Sequence, residues 1–426
     1  MNINSILKHF VDDPETFRLK MAQNNAIIAG NIALHFFNRF VPLKDGMDLI
    51  VSEDDDGINF SEFICKEEGY RAVETPSDSI LPWDWPIDVI EDRNTVRLER
   101  GTEVILGGQY FVKQSATIPS SYTVIRIIFA KLPPILSGLH CLTETVSANY
   151  ITWNKVYSLF PNSVLRHEPV WVSGRNVGYD QLAPAYRDNE WNLIMLNPLE
   201  YGQQGPETHT LNGKRLYRPF VPNQARWIAD RYSWVIKHPA LPLNLSKPNE
   251  IKNPKVPDLA TELNFFTMTT NFPHESFASE GRPFYSIESE PYYTTSLKHC
   301  YGNTHRNDFA MTTPSFWSYI NNQLVSYSQK QERDKLSLEQ KAELSMHRAQ
   351  EPAFYDDDHE NPIDNLPDCW EFLDENGQIE RLFKEWKKMR GSEMNDEVEE
   401  LQGDSGESEN ANRTKLGLMN FKYDVV

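Results

Sequence analysis

At 426 residues, with 39% hydrophobic and 24% charged content, the chain holds enough apolar material for two or three packed domains. Aromatic residues reach 12%, with 10 Trp, which excludes wholesale disorder. A formal net charge of -19 provides no global field for nucleic acid or an anionic membrane. Four widely spaced cysteines (Cys65, Cys141, Cys300, Cys369) form no CxxC and fit free thiols in a reducing compartment. The first residues meet charge before a signal-peptide apolar region forms. The best apolar run, 123–142, is interrupted by Arg126, Lys131 and Pro133-Pro134. The expectation is a cytoplasmic or nuclear protein with no membrane partner.

In chain order, Asp13-Pro14-Glu15 predicts a short helix to about Met21, with proline in the first turn. Residues 26–29 read as a helix end or a strand, and Ile32, Leu34, Phe36 and Phe37 as a helix burying its bulky face. Met47 to Val51 reads as a strand. Ser52-Glu-Asp-Asp-Asp-Gly57 reads as a polar loop, and Asn59 as the cap of a helix over 60–68. Gly69 stands where a left-handed residue ends that helix, with a strand from Tyr70 to Val73. Pro82-Trp-Asp-Trp-Pro86 is an aromatic corner. Strands are predicted over 95–98, 104–106, 110–113 and 122–129, the last nearly all apolar and therefore central.

After the proline pair a long helix is predicted over 135–159. Residues 166–257, rich in aromatics, prolines and glycines, suggest an irregular domain with short strands. Residues 223–237 look helical, with Trp227, Tyr232 and Trp234 as core. A helical stretch over 314–350 becomes strongly charged after Gln329. Ile379, Leu382, Phe383, Trp386 and Met389 mark one more amphipathic helix. Beyond Gly391, eight acids precede Asn410 with no basic residue among them, which predicts a disordered acidic tail.

The stretch from Ala26 to Val51 carries the chemistry. A glycine turn at Gly30-Asn31 enters a helix, and a strand with Asp48 follows. Backbone N–H groups at such a turn suit a phosphate. A strand puts residues i and i+2 on one face, so Asp-x-Asp would deliver two carboxylates to a single Mg²⁺. Gly46 occupies the first of those positions. Asp45 is adjacent, and it could join Asp48 only if Gly46 made a bulge. The neighbouring candidate strand, Val124-Ile-Arg-Ile-Ile128, offers Arg126 and no acid.

These residues resemble a group of fungal proteins. Ala29-Gly-Asn-Ile-Ala-Leu-His-Phe-Phe-Asn-Arg39 with Met47-Asp-Leu-Ile-Val51 is similar to their Gly-Ser-x-Ala-Leu-x-Phe-Phe-x-Arg and Ser-Asp-Leu-Asp-Leu-Tyr-Val. A second block, Thr145-Val-Ser-Ala-Asn-Tyr-Ile-Thr152 and Tyr157-Ser-Leu-Phe-Pro161, is similar to their Thr-x-x-Met-Asn-x-Ile-Thr and Tyr-Ser-Leu-Tyr-Pro; Thr143 and Ala148 are departures. Arg226-Trp-Ile-Ala-Asp-Arg-Tyr-Ser-Trp234 echoes an Asp-x-x-x-Trp element. The group carries a degenerate nucleotidyltransferase-like, DNA polymerase beta-like domain. The resemblance covers about 26–161, fades to 234, and implies a nucleotidyltransferase-like α+β core, a mixed sheet flanked by helices; composition and periodicity add an irregular second domain and C-terminal helices with an acidic tail. Together these readings suggest a core over 1–165, an accessory domain over 166–326, a charged helical segment over 327–391 and the tail over 392–426.

With the first carboxylate missing, the expectation is a catalytically degenerate binding or interaction module with no cofactor. Gly30, Asn31 and Arg126 would be its vestigial nucleotide site, the guanidinium replacing metal as the phosphate partner. Its partner would be a protein or a nucleotide. Two other readings stand beside it: an active transferase holding Mg²⁺ on Asp45 and Asp48, and an assembly protein, possible as a homo-oligomer, built on a borrowed scaffold. Asp54-Asp55-Asp56 fails the alternating calcium pattern at Ile58 and reads as a solvated loop. His140-Cys141 and His299-Cys300 with His305 lack the paired short spacings of zinc sites. Ser173-Gly174 and Gly178 lack the strand-turn-helix setting of a nucleophile elbow. Lys384 to Arg390 reads as the polar face of a helix.

Overall fold

The computed structural model describes residues 2–39, 41, 43, 46–73, 96–97, 103–114, 122–172, 187, 191–194, 209–211, 214–216, 224–241, 254–271, 284–304, 316–335, 337, 372–375 and 377–389. Asp45, the 82–86 corner, the glycine loop at 173–178, His305, Cys369 and the acidic segment beyond Gly391 lie outside them.

Helix α1 (Ile3–Leu7) leads to α2 (Pro14–Gln23), where Asp13 Oδ1 accepts from the N–H of Glu15 at 3.0 Å and of Thr16 at 3.3 Å. Strand β1 (Ile27–Ala29) turns at Gly30, φ +67°, into α3 (Gly30–Phe37), and β2 (Gly46–Ser52) follows. Helix α4 (Asp55–Lys66) starts earlier than the predicted Asn59 cap. Asp54 caps it instead, accepting from Asp56 N–H at 3.0 Å. Asp55 and Asp56 thus stand in a first turn, where negative charge meets the positive end of the helix dipole, and not in a loop. Gly69, φ +73°, precedes β3 (Arg71–Val73) as expected. After β4 (Val96–Arg97), the two strands predicted over 104–113 are one, β5 (Glu103–Gln114), with a register shift between Ile105 and Gly107. Strand β6 (Tyr122–Ala130) is central, as its apolar run predicts.

The predicted 135–159 helix is replaced by a short α5 (Pro134–His140), a 3-10 turn at Thr145–Ser147 and a hairpin, β7 (Asn149–Ile151) and β8 (Lys155–Ser158). The reason is local. Thr143 and Ser147 hydroxyls turn onto buried Glu144, and the β-branched and aromatic residues beyond it favour an extended chain. Helix α6 (Pro161–Arg166) and a hairpin of β9 (His209–Leu211) and β10 (Lys214–Leu216) come next. The predicted 223–237 helix is also corrected, to β11 (Ala225–Trp227), a turn, and β12 (Trp234–Lys237). Asp230 organises that turn, accepting from Arg226 Nε at 2.8 Å and from the N–H of Tyr232 at 3.0 Å. Tyr232 and Trp234, predicted as core, are 43% and 41% exposed.

Helix α7 (Asp258–Glu262), strands β13 (Phe265–Asn271), β14 (Phe284–Glu288), β15 (Glu290–Tyr292) and β16 (Tyr301–Asn303), and helix α8 (Phe316–Lys335) complete the unit that runs to Ile379. A second unit starts at Glu380, inside a helix over 378–389 in which Ile379, Leu382, Phe383 and Trp386 are buried as the spacing predicts and Met389 is 40% exposed. There Lys384 pairs with Glu380 at 2.6 Å and Phe383 stacks on Trp386 at 5.7 Å.

Among the described residues the fold is mixed α+β around a nine-stranded sheet ordered β12-β8-β7-β1-β2-β6-β5-β3, with β4 also on β5. Strands β2 and β6 are parallel, and the other pairings in this sheet are antiparallel. Side chains alternate across it. Met47, Leu49, Val51, Ile125 and Ile127 join α1 to α4 residues such as Ile3, Phe17, Ile32 and Phe60 in one apolar cluster. Ile50, Ile128 and Ala130 point the other way, into a cluster with Leu136, Tyr150, Tyr157, Phe266 and Tyr285. Among the described residues no helix is long and apolar enough to cross a membrane.

His238, just beyond β12, is buried against Phe36, ring centroids 5.8 Å apart. Burial, with Arg18 nearby, pushes its imidazole down to about 3 from 6.5. The unfolded chain therefore binds the extra proton between those values, so this contribution to stability is complete above pH 6.5 and shrinks as pH falls toward 3. The expected outcome for His238→Phe, which keeps the ring contact, is a shallower loss of Tm across that acid window; an unchanged slope would remove His238 from the account.

Candidate functional site

Four strands line up across the centre of the sheet. Ala29 of β1 pairs with Asp48 of β2, Asp48 with Arg126 of β6, and Arg126 with Tyr110 of β5. Asp48 and Arg126 lie on the same face as Ile50 and Ile128, by the two-residue alternation of each strand. Arg126 Nε donates to Asp48 Oδ1 at 2.6 Å. The residues are only 4% and 1% exposed. Burial works against the charged guanidinium, yet the Asp48 carboxylate and a hydrogen-bonded Tyr110 hold the Arg126 pKa above its ordinary value.

The structure thus brings together Gly30, Asp48 and Arg126, with Asn31 on the first turn of α3. Gly30 follows directly on Ala29, the β1 partner of Asp48. Ala29 precedes α3 without a side-chain cap, so the first-turn N–H groups receive none there. Asn31 is buried at 7% exposure. Tyr110 was missed in the sequence: Gly107-Gly108 interrupts the alternation along β5 that would have aligned it with Arg126.

The described residues do not form a Mg²⁺ donor set here. Gly46, opposite Val124, contributes no side chain on the Asp48 face, and Arg126 stands on the neighbouring strand where a third carboxylate would be needed. Asp48 is the single carboxylate of the described constellation, and a guanidinium already engages it. A metal at that oxygen would place two cationic centres together in a buried setting.

The other cysteine and histidine candidates gain nothing from their surroundings. Among the described residues no three His, Cys, Asp or Glu side chains gather as a metal site. Burial raises the Cys300 thiol to about 11, away from thiolate chemistry. A cleft of about 490 Å³ opens at the carboxyl ends of β2 and β6, lined by Ser52, Glu53, Lys131, Pro133, Lys255 and His299 among others. Its near edge at Ser52 is four residues from Asp48, ~13 Å along the strand, and it includes none of Gly30, Asn31, Asp48 or Arg126. Two of its lysines are answered within the protein, Lys255 by Asp56 and Lys298 by Glu375.

Removing one partner of a buried ion pair strands the other charge, at a cost of about 3–5 kcal/mol, whereas replacing both with apolar groups is often near neutral. Asp48→Asn and Arg126→Met should each lower the unfolding free energy read from urea denaturation by that order. Asp48→Leu combined with Arg126→Met should recover most of the loss. Single variants that unfold like the parent would show that the pair contributes little.

Comparison with protein-family models and with curated proteins finds no match, so the meaning of this site rests on its own geometry.

Proposed function

We propose that this chain is a catalytically degenerate nucleotidyltransferase-like protein, of the fungal type its motifs resemble, working as a binding or interaction module. The observation that supports this reading is the buried Asp48–Arg126 pair. The glycine turn, α3 and β2 follow one another in the order the resemblance requires, and β6 lies beside β2 where the third carboxylate would stand. At that position a cation meets Asp48, so the centre that would gather metal is neutralised from within.

A triphosphate at the relic site would have to rely on the backbone N–H groups of the Gly30–Asn31 turn, because the Arg126 guanidinium is turned to Asp48. The rival transferase reading needs Asp48 free to bind Mg²⁺ together with Asp45, and the 2.6 Å contact opposes it. The assembly reading remains compatible with the same pair.

Thermal shift with nucleoside triphosphates in Mg²⁺, Mn²⁺ or EDTA tests the proposal, since stabilisation follows the ratio of ligand to dissociation constant. The expected result is no shift that depends on metal; a shift seen in EDTA as well would assign the remaining affinity to the Gly30–Asn31 backbone. Metal-dependent stabilisation accompanied by turnover would sink the pseudoenzyme reading.

A further inference from the structure

The β12 strand ends the large sheet, and among the described residues no strand pairs with its outer side. All four of its residues are exposed, including Trp234 at 41%, Val235 at 37% and Ile236 at 37%. Natural edge strands are usually protected by charge, proline, a bulge or a covering element. Here Lys237 is the one charge in the strand, and both faces carry bulky apolar groups. Trp234 is held in place, its ring 6.3 Å from that of Phe37.

The direction of each backbone group follows from the ladder. His238 N–H donates to Asn154 O at 2.8 Å, in line with the register Trp234↔Ser158 and Ile236↔Val156. In an antiparallel pair, hydrogen-bonded positions alternate. Trp234 and Ile236 therefore bond inward to β8, and Val235 and Lys237 turn their N–H and C=O outward. The opposite side of β8 agrees: Leu159 N–H bonds to Ala148 O and Thr152 N–H to Lys155 O, so the odd residues of β8 serve β7 and the even ones serve β12.

We propose that β12 is a homodimer interface in which two copies pair antiparallel about a two-fold axis at Val235, joining their sheets edge to edge. Parity restricts the register, because outward positions must face outward positions. Centring on Val235 sets Val235 against its own copy and Lys237 against Ser233. It also sets Trp234 of each copy against Ile236 of the other, on one face. That gives two aromatic–aliphatic cross-strand pairs, the kind that stabilises sheets. Centring on Ile236 would instead put Trp234 against the buried His238 and Val235 against Lys237. The strand is thus self-complementary in the way an isologous contact demands. This inference goes beyond the functional reading above, since the edge can pair whether or not the relic site holds a nucleotide.

The test is mass by light scattering across a concentration series of the full chain. A concentration-dependent dimer is expected. Val235→Pro removes an outward N–H and leaves the β8 ladder its inward bonds, so it should give monomer; Ile236→Lys, which removes the aliphatic half of both cross-strand pairs and charges the edge, should do the same by a separate route. Val235→Cys should form a disulfide-linked dimer under mild oxidation, since facing hydrogen-bonded positions have Cα atoms about 5.5 Å apart. A strict monomer at all concentrations overturns the proposal, as does a dimer that survives both Val235→Pro and Ile236→Lys. Neither result bears on nucleotide binding, so failure here is distinct from failure of the pseudoenzyme reading.

Discussion

The pairing of β2 with β6 is parallel, so no tight turn sets its register, and the chain between Ser52 and Tyr122 must return over a long crossover. The Asp48–Arg126 ion pair supplies what a turn would have supplied. A slip of one residue would turn Asp48 toward Met47's side of the sheet, into apolar company, and leave the Arg126 charge unanswered. Each stranded ion costs several kcal/mol, so the pair acts more against wrong registers than for the right one. The helices α3, α4 and α5 pack on the surfaces that this register creates.

The same contact occupies the centre of the sheet. Metal-dependent catalysis needs carboxylates that a cation and its waters can reach, and here the central carboxylate is enclosed and neutralised. The cleft at the carboxyl ends of β2 and β6 and the bare edge at β12 are both rim features, and they lie apart from the buried pair.

Local backbone signals carried much of the fold, and side-chain contacts that override periodicity carried what was missed. Asp13-Pro14, Gly69 and the apolar run of β6 each announce a structure formed within a few residues, and each appears. The hairpin β7–β8 does not announce itself, because Glu144 must first draw in Thr143 and Ser147 before the helical periodicity after Pro134 is broken. Residues 223–237 misled for a related reason: Arg226 and Asp230 have helical spacing, yet they close a turn between two strands. At the site, the Gly30 turn and Asp48 were legible. The embrace of Asp48 by Arg126 was not, since the partners are 78 positions apart and meet only through strand register.

Arg18 ties this architecture to the order in which the chain is made. Buried on α2 at 1% exposure, it donates to Asn4 Oδ1 at 3.1 Å, Trp153 O at 2.7 Å and Pro239 O at 2.8 Å. A nascent chain emerges amino end first, so α2 is complete long before the last acceptor exists. Until Pro239 is out, the Arg18 N–H that it will accept from has water as its partner. A fragment ending near residue 165 would hold both members of the central ion pair yet lack Pro239 and β12. At that length Arg18 keeps its acceptors on Asn4 and Trp153 and waits on water for the third.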